Sequence, residues 1–160
     1  MAIITDSEPR PLDMIDLASN VSGGQVLWST DDFFAAGENL LKPEPAVFDP
    51  DRYTERGKWM DGWESRRRRT PGHDTAIIKL GIAGIVRMVN INTAHFTGNY
   101  PAFGRVWGCH APNDDLNALR TQTTWFELTN AAALKGGASN MVVVREPKAV
   151  THVKLEIFPA

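Results

Sequence analysis

The sequence predicts an all-β protein, a β-sandwich or jelly roll with a few short helices in its loops. First, 13 glycines and 10 prolines interrupt the 160 residues at short intervals, which disfavours long helices. Second, the clearest ordered runs are short and rich in β-branched residues, as strands are. Third, long connections that contain glycine and proline separate these runs. Loops of this kind carry the binding and catalytic residues of sandwich domains.

The first half of the chain contains one predicted helix and two predicted strands. The run TDDFFAAGENLL (30–41) can begin a short helix with Thr30 or Asp31 as its N-cap. The apolar run TAIIKLGIAG (75–84) predicts a strand that ends at glycine. The next run, IVRMVNINT (85–93), is partly apolar at both alternating sets of positions. That pattern is typical of a strand inside a two-layer sandwich.

The second half of the chain contains one predicted helix and two further predicted strands. The run NDDLNALRT (113–121) can form two helical turns with Leu116 and Leu119 facing inward. The run MVVVRE (141–146) predicts a strand. In HVKLEIF (152–158), apolar and charged residues alternate more regularly than anywhere else in the chain. The two predicted helices are too short to form a helical fold. The four predicted strands are sufficient for a sandwich.

Composition restricts the class of protein. A chain of 160 residues suits one domain and buries about two thirds of the surface that its unfolded form exposes. The 17 basic and 19 acidic residues give a net charge of −2, so no global attraction to nucleic acid or acidic membranes is expected. Cys109 is the one cysteine, which excludes an internal disulfide and favours a reducing compartment. The N-terminal residues do not resemble a signal peptide, and no apolar run could span a bilayer. We therefore expect a cytoplasmic protein.

Chemically active side chains are concentrated in the segment GKWMDGWESRRRRTPGHD (57–74). Its cations, carboxylates and histidine can bind charged groups and transfer protons near neutral pH, and its two tryptophans provide flat apolar walls. Planar guanidinium groups bind carboxylates, and fixed carboxylates accept N–H bonds. A polar ligand with carboxylate and amide groups would need this mixture. Two other polar loops, 28–39 and 92–101, could contribute to the same site. The candidates in the segment are Lys58, Trp59, Asp61, Trp63, Glu64, Arg66, His73 and Asp74.

Structural explanations compete with each of these functional ones. The four consecutive arginines, 66–69, can be a solvated face, and Trp59 and Trp63 can belong to the core. Asp32 can be a helix cap, and His95 can be a hydrogen-bonded structural histidine. Composition and spacing alone therefore indicate a soluble β-rich domain with a cluster of acids, histidine and arginine. They do not indicate which reaction the protein catalyses.

A resemblance to a known family supplies the reaction. Five segments resemble the allantoicase family in their residues and in their order along the chain: LWSTDDFFAAGENLL, GKWMDGWESRRRR, GHD, IIKLG and NTAHFTGNYP. The similarity extends from about Leu17 to Phe158, and the long block GKWMDGWESRR is far more specific than a lone glycine fingerprint. The resemblance implies a jelly-roll sandwich similar to galactose-binding domains. It also implies hydrolysis of allantoate to ureidoglycolate and urea in allantoin degradation, a part of purine metabolism.

The implied substrate suggests a role for each candidate residue. Allantoate carries a carboxylate and two ureido groups on one carbon, so Arg66 or Arg67 would bind the carboxylate, with Lys58 as a second cation. Breaking the carbon–nitrogen bond needs a proton for the departing urea and a base for water. His73 or His95 could donate that proton, and Asp61, Glu64 or Asp74 could accept the proton from water. We expect the remaining substrate contacts from Asp32, Trp59, Asn99 and Tyr100.

The resemblance also shapes our expectations about domains and partners. We expect residues 1–16 to be an N-terminal extension. Residues 17–160 would form one repeat of the two usual in the family, without its usual final strand. We therefore expect a homo-oligomer or association with a second repeat. We assign no required cofactor and place no metal ligand, and we leave open whether the protein binds a divalent metal ion. The competing hypotheses are a non-catalytic domain that binds a ureide or carbohydrate and an inactive truncated relative.

Overall fold

The computed structural model describes residues 14–159 of the chain. Within this range the elements are mostly strands, with one α-helix and two 3₁₀ helices, Asn20–Ser22 and Gly37–Leu41. The strands are β1 (Gln25–Ser29), β2 (Tyr53–Thr54), β3 (Gly57–Lys58), β4 (Asp74–Ile85), β5 (Met88–Asn92), β6 (Phe103–Cys109), β7 (Phe126–Glu127), β8 (Ala132–Ala133), β9 (Ser139–Val143) and β10 (Ala149–Phe158); the α-helix is α1 (Leu116–Thr121).

The strands form a jelly-roll sandwich of two facing sheets, which confirms the predicted fold class. The main sheet is antiparallel, with the order β1-β4-β10-β6-β7, and β8 also pairs with β6. A second sheet contains β5 and β9. The two longest strands, β4 and β10, pair at the centre of the main sheet. Residues 74–78 of β4 are all buried, because a central strand is covered on both faces.

Apolar side chains cover both faces of the main sheet. Between the sheets, the buried cluster contains Ile91, Val106, Leu128, Leu134 and Val144, with Val153 and Leu155 of β10 packed against it. On the opposite face, helix α1 places Leu119 against Ile77 and Cys109. The main sheet therefore has an inner face that looks toward β5 and β9 and an outer face covered in part by α1.

The two helix predictions have different outcomes. The predicted helix at 113–121 is confirmed as α1, where the Asp115 carboxylate accepts a 2.8 Å hydrogen bond from Ala118 N and Leu119 is buried. The predicted helix at 30–41 is wrong over most of its length, because only Gly37–Leu41 forms a 3₁₀ helix. Asp31 does not cap a helix, since its side chain accepts bonds from Phe33 N and Arg66. No helix within residues 14–159 is both long and apolar enough to cross a membrane.

The predicted alternation in β10 is confirmed, and it places apolar residues on one face of the strand and charged residues on the other. Val153 and Leu155 face the inner side, whereas Lys154 and Glu156 face the outer side. Glu156 is nevertheless buried, because Arg105 Nε lies 3.0 Å from its Oε1 and Trp107 donates its indole N–H to the same carboxylate. Burial alone would raise the pKa of Glu156, but the Trp107 and Arg105 bonds and the neighbouring charges hold that pKa below its usual value.

Candidate active site

A cleft of about 1240 Å³ opens beside β5, between the two sheets. The floor of the cleft is the apolar inner face of the main sheet, and one end of the cleft is lined by polar residues. Six of the side chains predicted from the sequence line the polar end: Asp61, Glu64, Arg66, Arg67, Asn99 and Tyr100. The structure therefore brings together two segments that are about 30 residues apart in the chain.

The segment Asp61–Arg67 is held in place by the preceding loop. Ala35 and Glu64 exchange two backbone hydrogen bonds of 3.1 Å. The buried Trp63 donates its indole N–H to Asp31 O at 2.8 Å. Trp63 thus belongs to the packing that supports the cleft. Because the backbone of Glu64 is fixed by this bridge, its side chain has a defined origin at the cleft wall.

Arg66 is fixed by a second contact with the same loop. Asp31 accepts bonds from Arg66 N at 3.1 Å and from Arg66 Nε at 2.7 Å. Burial alone would raise the pKa of Asp31, but the bond from Phe33 N and the bonds from Arg66 hold it below its usual value. Asp31 therefore stays ionised and orients the guanidinium group. In residues 14–159, no hydrogen bond engages the terminal nitrogens of Arg66, and no salt bridge involves Arg67.

Glu64 has the environment of a proton-transfer group. Burial raises the pKa of its carboxyl group, and the single opposing contact is a 3.2 Å bond from Asn99 Nδ2 to Oε1. Gly62 permits the loop that carries Asn99 to approach closely, because a Cβ there would lie 2.8 Å from the ring of Phe96. A carboxyl group of raised pKa, held at one oxygen, can exchange a proton through the other.

Asp61 also lines the cleft, but both of its oxygens are engaged. Lys42 Nζ lies 3.0 Å from Oδ1, and Val47 N donates to Oδ2 at 2.9 Å. Burial would raise the pKa of Asp61, yet the Val47 and Lys42 contacts and the nearby His95 keep it below its usual value. Asp61 is therefore an ionised anchor for the loop 42–47 and is poorly placed to accept a further proton.

His95 lies beside this loop and outside the cleft lining. Its Nε2 is 3.1 Å from Ala46 O, so the ring N–H donates to that carbonyl group. The ring stacks on Phe48 with 5.6 Å between centroids. His95 also has a φ of 68°, a left-handed conformation that is uncommon for residues other than glycine. These contacts give His95 a role in holding the loop 46–48.

Three predicted substrate contacts lie outside the cleft lining as well. Trp59 is stacked with Arg52, whose guanidinium carbon is 4.4 Å from the ring centroid. Lys58 Nζ is 5.3 Å from the ring of Phe48. The backbone carbonyl of Asp32 accepts a 3.1 Å bond from Arg56. The structure thus places Asp32, Lys58 and Trp59 beside the exposed loops of residues 48–59.

The structure separates His73 and Asp74 from the cleft. Asp74 is 2% exposed and contacts Arg68 at 3.1 Å and Thr30 at 2.7 Å. His73 Nε2 lies 2.9 Å from Glu156 Oε2. Because Leu155 and Ile157 line the cleft on the inner face, Glu156 and its partner His73 lie on the outer face. Different residues of the charged segment 57–74 therefore lie at two different surfaces, the wall of the cleft and the outer face of the main sheet.

Several polar residues of the cleft were not predicted from the sequence. Lys42 and Glu44 lie outside every segment that the sequence indicated, whereas Asn39 and Asn92 lie in the predicted polar loops 28–39 and 92–101 but were not chosen individually. Asn39 Nδ2 donates to Gly62 O at 3.1 Å and helps to fix the wall. The run KPEP at 42–45 was a usable signal, since charges beside prolines indicate an ordered loop. Among residues 14–159, no group of three or more histidine, cysteine or acidic side chains is arranged to hold a metal ion.

Comparison with known proteins identifies a family whose sequences are similar to this chain. The family described as "Allantoicase repeat" matches residues 15–160. "Probable allantoicase 1" of Burkholderia mallei is 42% identical over 145 residues, which are 91% of this chain and 42% of that protein. "Probable allantoicase" of Acinetobacter baumannii is 41% identical over 144 residues, 90% of this chain and 42% of the relative. The chain thus spans about two fifths of the length of these curated relatives.

Solved structures give the same fold. The crystal structure of allantoicase from Saccharomyces cerevisiae superposes with a TM-score of 0.69 at 33% identity, over 91% of this chain and 39% of that chain. A family 32 carbohydrate-binding module from Clostridium perfringens superposes with a TM-score of 0.54 at 9% identity, over 85% of each chain. At that identity the second likeness shows the galactose-binding type of jelly roll and nothing about the ligand.

Proposed function

The chain belongs to the allantoicase family, and we propose that its cleft hydrolyses allantoate to ureidoglycolate and urea. The observation that supports this most directly is the pairing of a carboxyl group of raised pKa, Glu64, with guanidinium groups at the same end of the cleft. The first can move a proton and the second can hold an anion. Hydrolysis of allantoate needs both functions.

The substrate matches the polar end of the cleft group by group. Its carboxylate would pair with Arg67 and with the terminal nitrogens of Arg66, whose Nε is already held by Asp31. A planar guanidinium group binds a carboxylate through two parallel hydrogen bonds. The ureido N–H groups would donate to the side-chain oxygens of Asn99 and Asn92, two residues that line the cleft; Asn92 Oδ1 also accepts a 2.8 Å bond from Ala94 N. Binding in this orientation places the carbon that carries both ureido groups near Glu64.

The reaction begins with protonation of the leaving group. The Glu64 carboxyl group donates its proton to one ureido nitrogen while the bond from that nitrogen to carbon breaks. The lone pair of the other ureido nitrogen forms a double bond to the same carbon and carries the positive charge. Urea leaves as a neutral molecule, and Glu64 is left as a carboxylate, whose Oε1 still accepts the hydrogen bond from Asn99 Nδ2.

Water completes the reaction through the same side chain. The Glu64 carboxylate takes a proton from a water molecule, and the water oxygen forms the new bond to carbon. The electron pair of the carbon–nitrogen double bond returns to nitrogen, which gives ureidoglycolate. Glu64 is again protonated, so one carboxyl group serves first as the acid and then as the base. In this mechanism Asp61 and His95 hold the loop 42–48 and take no part in proton transfer.

The remaining properties of the chain follow from the same proposal. We assign residues 17–160 to one allantoicase repeat and residues 1–16 to an extension. The proposed partners are allantoate and a second folded unit, either another copy or a second repeat, with no nucleic acid or membrane. The proposed pathway is allantoin degradation in the cytoplasm. The buried free thiol of Cys109, whose pKa burial raises to about 11, suits a reducing compartment.

Turnover of allantoate by the purified chain tests the proposal. Urea should appear with time in molar excess over protein, and the Glu64→Gln variant should lose most of this activity. If calorimetry detects allantoate binding but no urea forms, the cleft belongs to a ligand-binding domain and the proposal fails. A folded chain that neither binds nor hydrolyses allantoate would support an inactive relative.

A further inference from the structure

The four consecutive arginines, 66–69, lie in different environments. Arg66 and Arg67 are exposed and line the polar end of the cleft. Arg68 is half-buried, and its Nη2 donates at 3.1 Å to Oδ1 of Asp74, which is buried. The run therefore contains an arginine–carboxylate pair that lies outside the cleft and that the proposed chemistry does not use.

Asp74 connects the arginine run to the residues that follow β1. Thr30 Oγ1 donates to the same Asp74 oxygen at 2.7 Å, and Thr75 N donates to Thr30 Oγ1 at 3.0 Å. Thr30 N donates in turn to Thr75 O at 2.9 Å. These bonds extend the pairing of β1 with β4 by one position. They fix the backbone of Thr30, the residue immediately before Asp31.

Two acids therefore hold the arginines on either side of Arg67. Asp31 accepts bonds from Arg66 N and from Arg66 Nε, and Asp74 binds Arg68. The residue before Asp31 is itself bonded to Asp74, so the two acid–arginine pairs form one connected network. Because Arg67 lies between two anchored residues, its backbone is fixed from both sides.

One guanidinium nitrogen makes the contact between Arg68 and Asp74. In the part of the chain that the structure describes, Arg68 Nε is buried and has no hydrogen-bond partner. A buried donor without a partner lowers stability, and a bidentate pair would have used a second nitrogen. A buried ion pair is in any case weak evidence for stability. The place that the pair gives to the neighbouring arginines explains it better than stability does.

We propose that Asp74 is a positioning residue for substrate binding, acting through Arg68 and Thr30 without touching the substrate. By holding Arg68, it fixes the arginine run so that the two preceding side chains face the cleft. By holding Thr30, it fixes the acid that orients the Arg66 guanidinium group. This inference rests on the proposed function, in which the cleft arginines bind the substrate carboxylate.

A double variant separates positioning from stability. Arg68→Met alone leaves the buried carboxylate of Asp74 unpaired and should destabilise the fold. Arg68→Met combined with Asp74→Asn removes both charges, so the free energy of unfolding should return toward the native value. The KM of the double variant for allantoate should nevertheless stay about 3- to 10-fold above native, because the cleft arginines are no longer held in place. Its kcat should change less than its KM.

Two further variants are matched controls for this comparison. Arg68→Lys keeps one cationic nitrogen for Asp74 and should retain the native KM, since the native contact uses one nitrogen. Leu119→Ala lowers stability from the outer face, where Leu119 packs against Ile77 and Cys109. It should also retain the native KM. A native KM in the double variant, or an equal rise of KM in Leu119→Ala, would overturn the proposal.

The Nε–H group of Arg66 gives a readout that needs no turnover. This group donates to Asp31 at 2.7 Å, so its NMR signal should exchange slowly with solvent in the native protein. Exchange should be about tenfold faster in the double variant and unchanged in Arg68→Lys. If the native chain hydrolyses no allantoate, the proposed function fails, and this signal still decides whether Asp74 positions Arg66. Equal exchange rates in the native protein and the double variant would overturn the positioning role.

Discussion

Replacement of Glu64 by glutamine isolates the proton-transfer step. The glutamine side chain would retain the shape of the native one and could still accept the hydrogen bond from Asn99 Nδ2, which is 3.2 Å from Oε1 in the native protein. It could not donate a proton to the departing urea or accept one from water. Because the backbone of Glu64 is fixed by its bridge to Ala35, we expect the cleft to keep its geometry.

The size of the effect follows from the role assigned to Glu64. A positioned acid or base contributes about 10²- to 10⁴-fold to a rate, which is about 3 to 5 kcal/mol of transition-state stabilisation. Since one carboxyl group performs both transfers, we expect a loss of kcat near the upper end of this range. The KM for allantoate should change little, because the arginines that hold the substrate are untouched.

The assay is steady-state release of urea, with Glu44→Gln as the matched control. Glu44 also lines the cleft, but its side chain is exposed, whereas that of Glu64 is half-buried. Glu44→Gln should remain within about twofold of the native rate, as surface substitutions away from the chemistry do. A folded Glu64→Gln protein with a near-native kcat, or equal losses in both variants, would refute the assignment.

Stability provides an independent check on the same residue. Burial raises the pKa of Glu64 in the folded protein, so the folded state binds this proton more tightly than the unfolded state does. Ionisation of Glu64 therefore costs more in the folded protein than in the unfolded one. As pH rises through the raised pKa, this ionisation lowers the free energy of unfolding. At neutral pH, Glu64→Gln should be at least as stable as the native protein. The native kcat should fall as pH rises through the same range, because the first step needs the protonated carboxyl group.

Substitutions at four further residues test other parts of the account. Arg67→Ala should raise KM about 10- to 100-fold with less effect on kcat, because charge-assisted hydrogen bonds contribute about 1.5–3 kcal/mol; Arg67→Lys should restore only part of the affinity in the urea assay. Asp61→Asn should lower the free energy of unfolding by about 1 kcal/mol in denaturant titrations, a small value because Lys42 is well exposed. Glu156 has a lowered pKa, so it stabilises the fold above its ordinary pKa and loses that contribution as pH falls through the folded pKa; melting curves of Glu156→Gln should show a weaker pH dependence in that acidic range. Leu119→Ala should cost about 2–5 kcal/mol of unfolding free energy, with kcat per folded molecule unchanged because Leu119 lies on the outer face.

The fold could be predicted from the sequence because its central strands have strong local signals. The β-branched run that becomes β4 and the regular alternation of β10 specify strands without any tertiary information. Helix α1 was predictable from the run 113–121, in which Leu116 and Leu119 are spaced to face the same side of a helix. The segment 30–41 was predicted wrongly because its acids resemble helix caps, while in the folded protein Asp31 binds Arg66. That contact joins residues 35 positions apart and has no local signature.

The candidate site was only partly predictable for a similar reason. Glu64 and His73 are close in sequence, yet the chain between them passes from the cleft wall to the outer face, where His73 meets Glu156. Spacing in a loop does not determine the face on which a side chain lies, whereas the period of a strand does. Lys42 was missed because it reaches the cleft from an earlier loop through its contact with Asp61. The assignment of roles to Glu64, Arg66 and Arg67 stays a prediction.

Product stoichiometry with the unmodified chain is the most direct test of the central claim. Purified protein of residues 1–160 is incubated with allantoate, and urea and ureidoglycolate are quantified together over time. The proposed reaction predicts that both products accumulate in equal amounts over many turnovers and that heat-denatured protein forms neither. Failure of the folded chain to release urea, or release of urea without an equal amount of ureidoglycolate, would contradict the account.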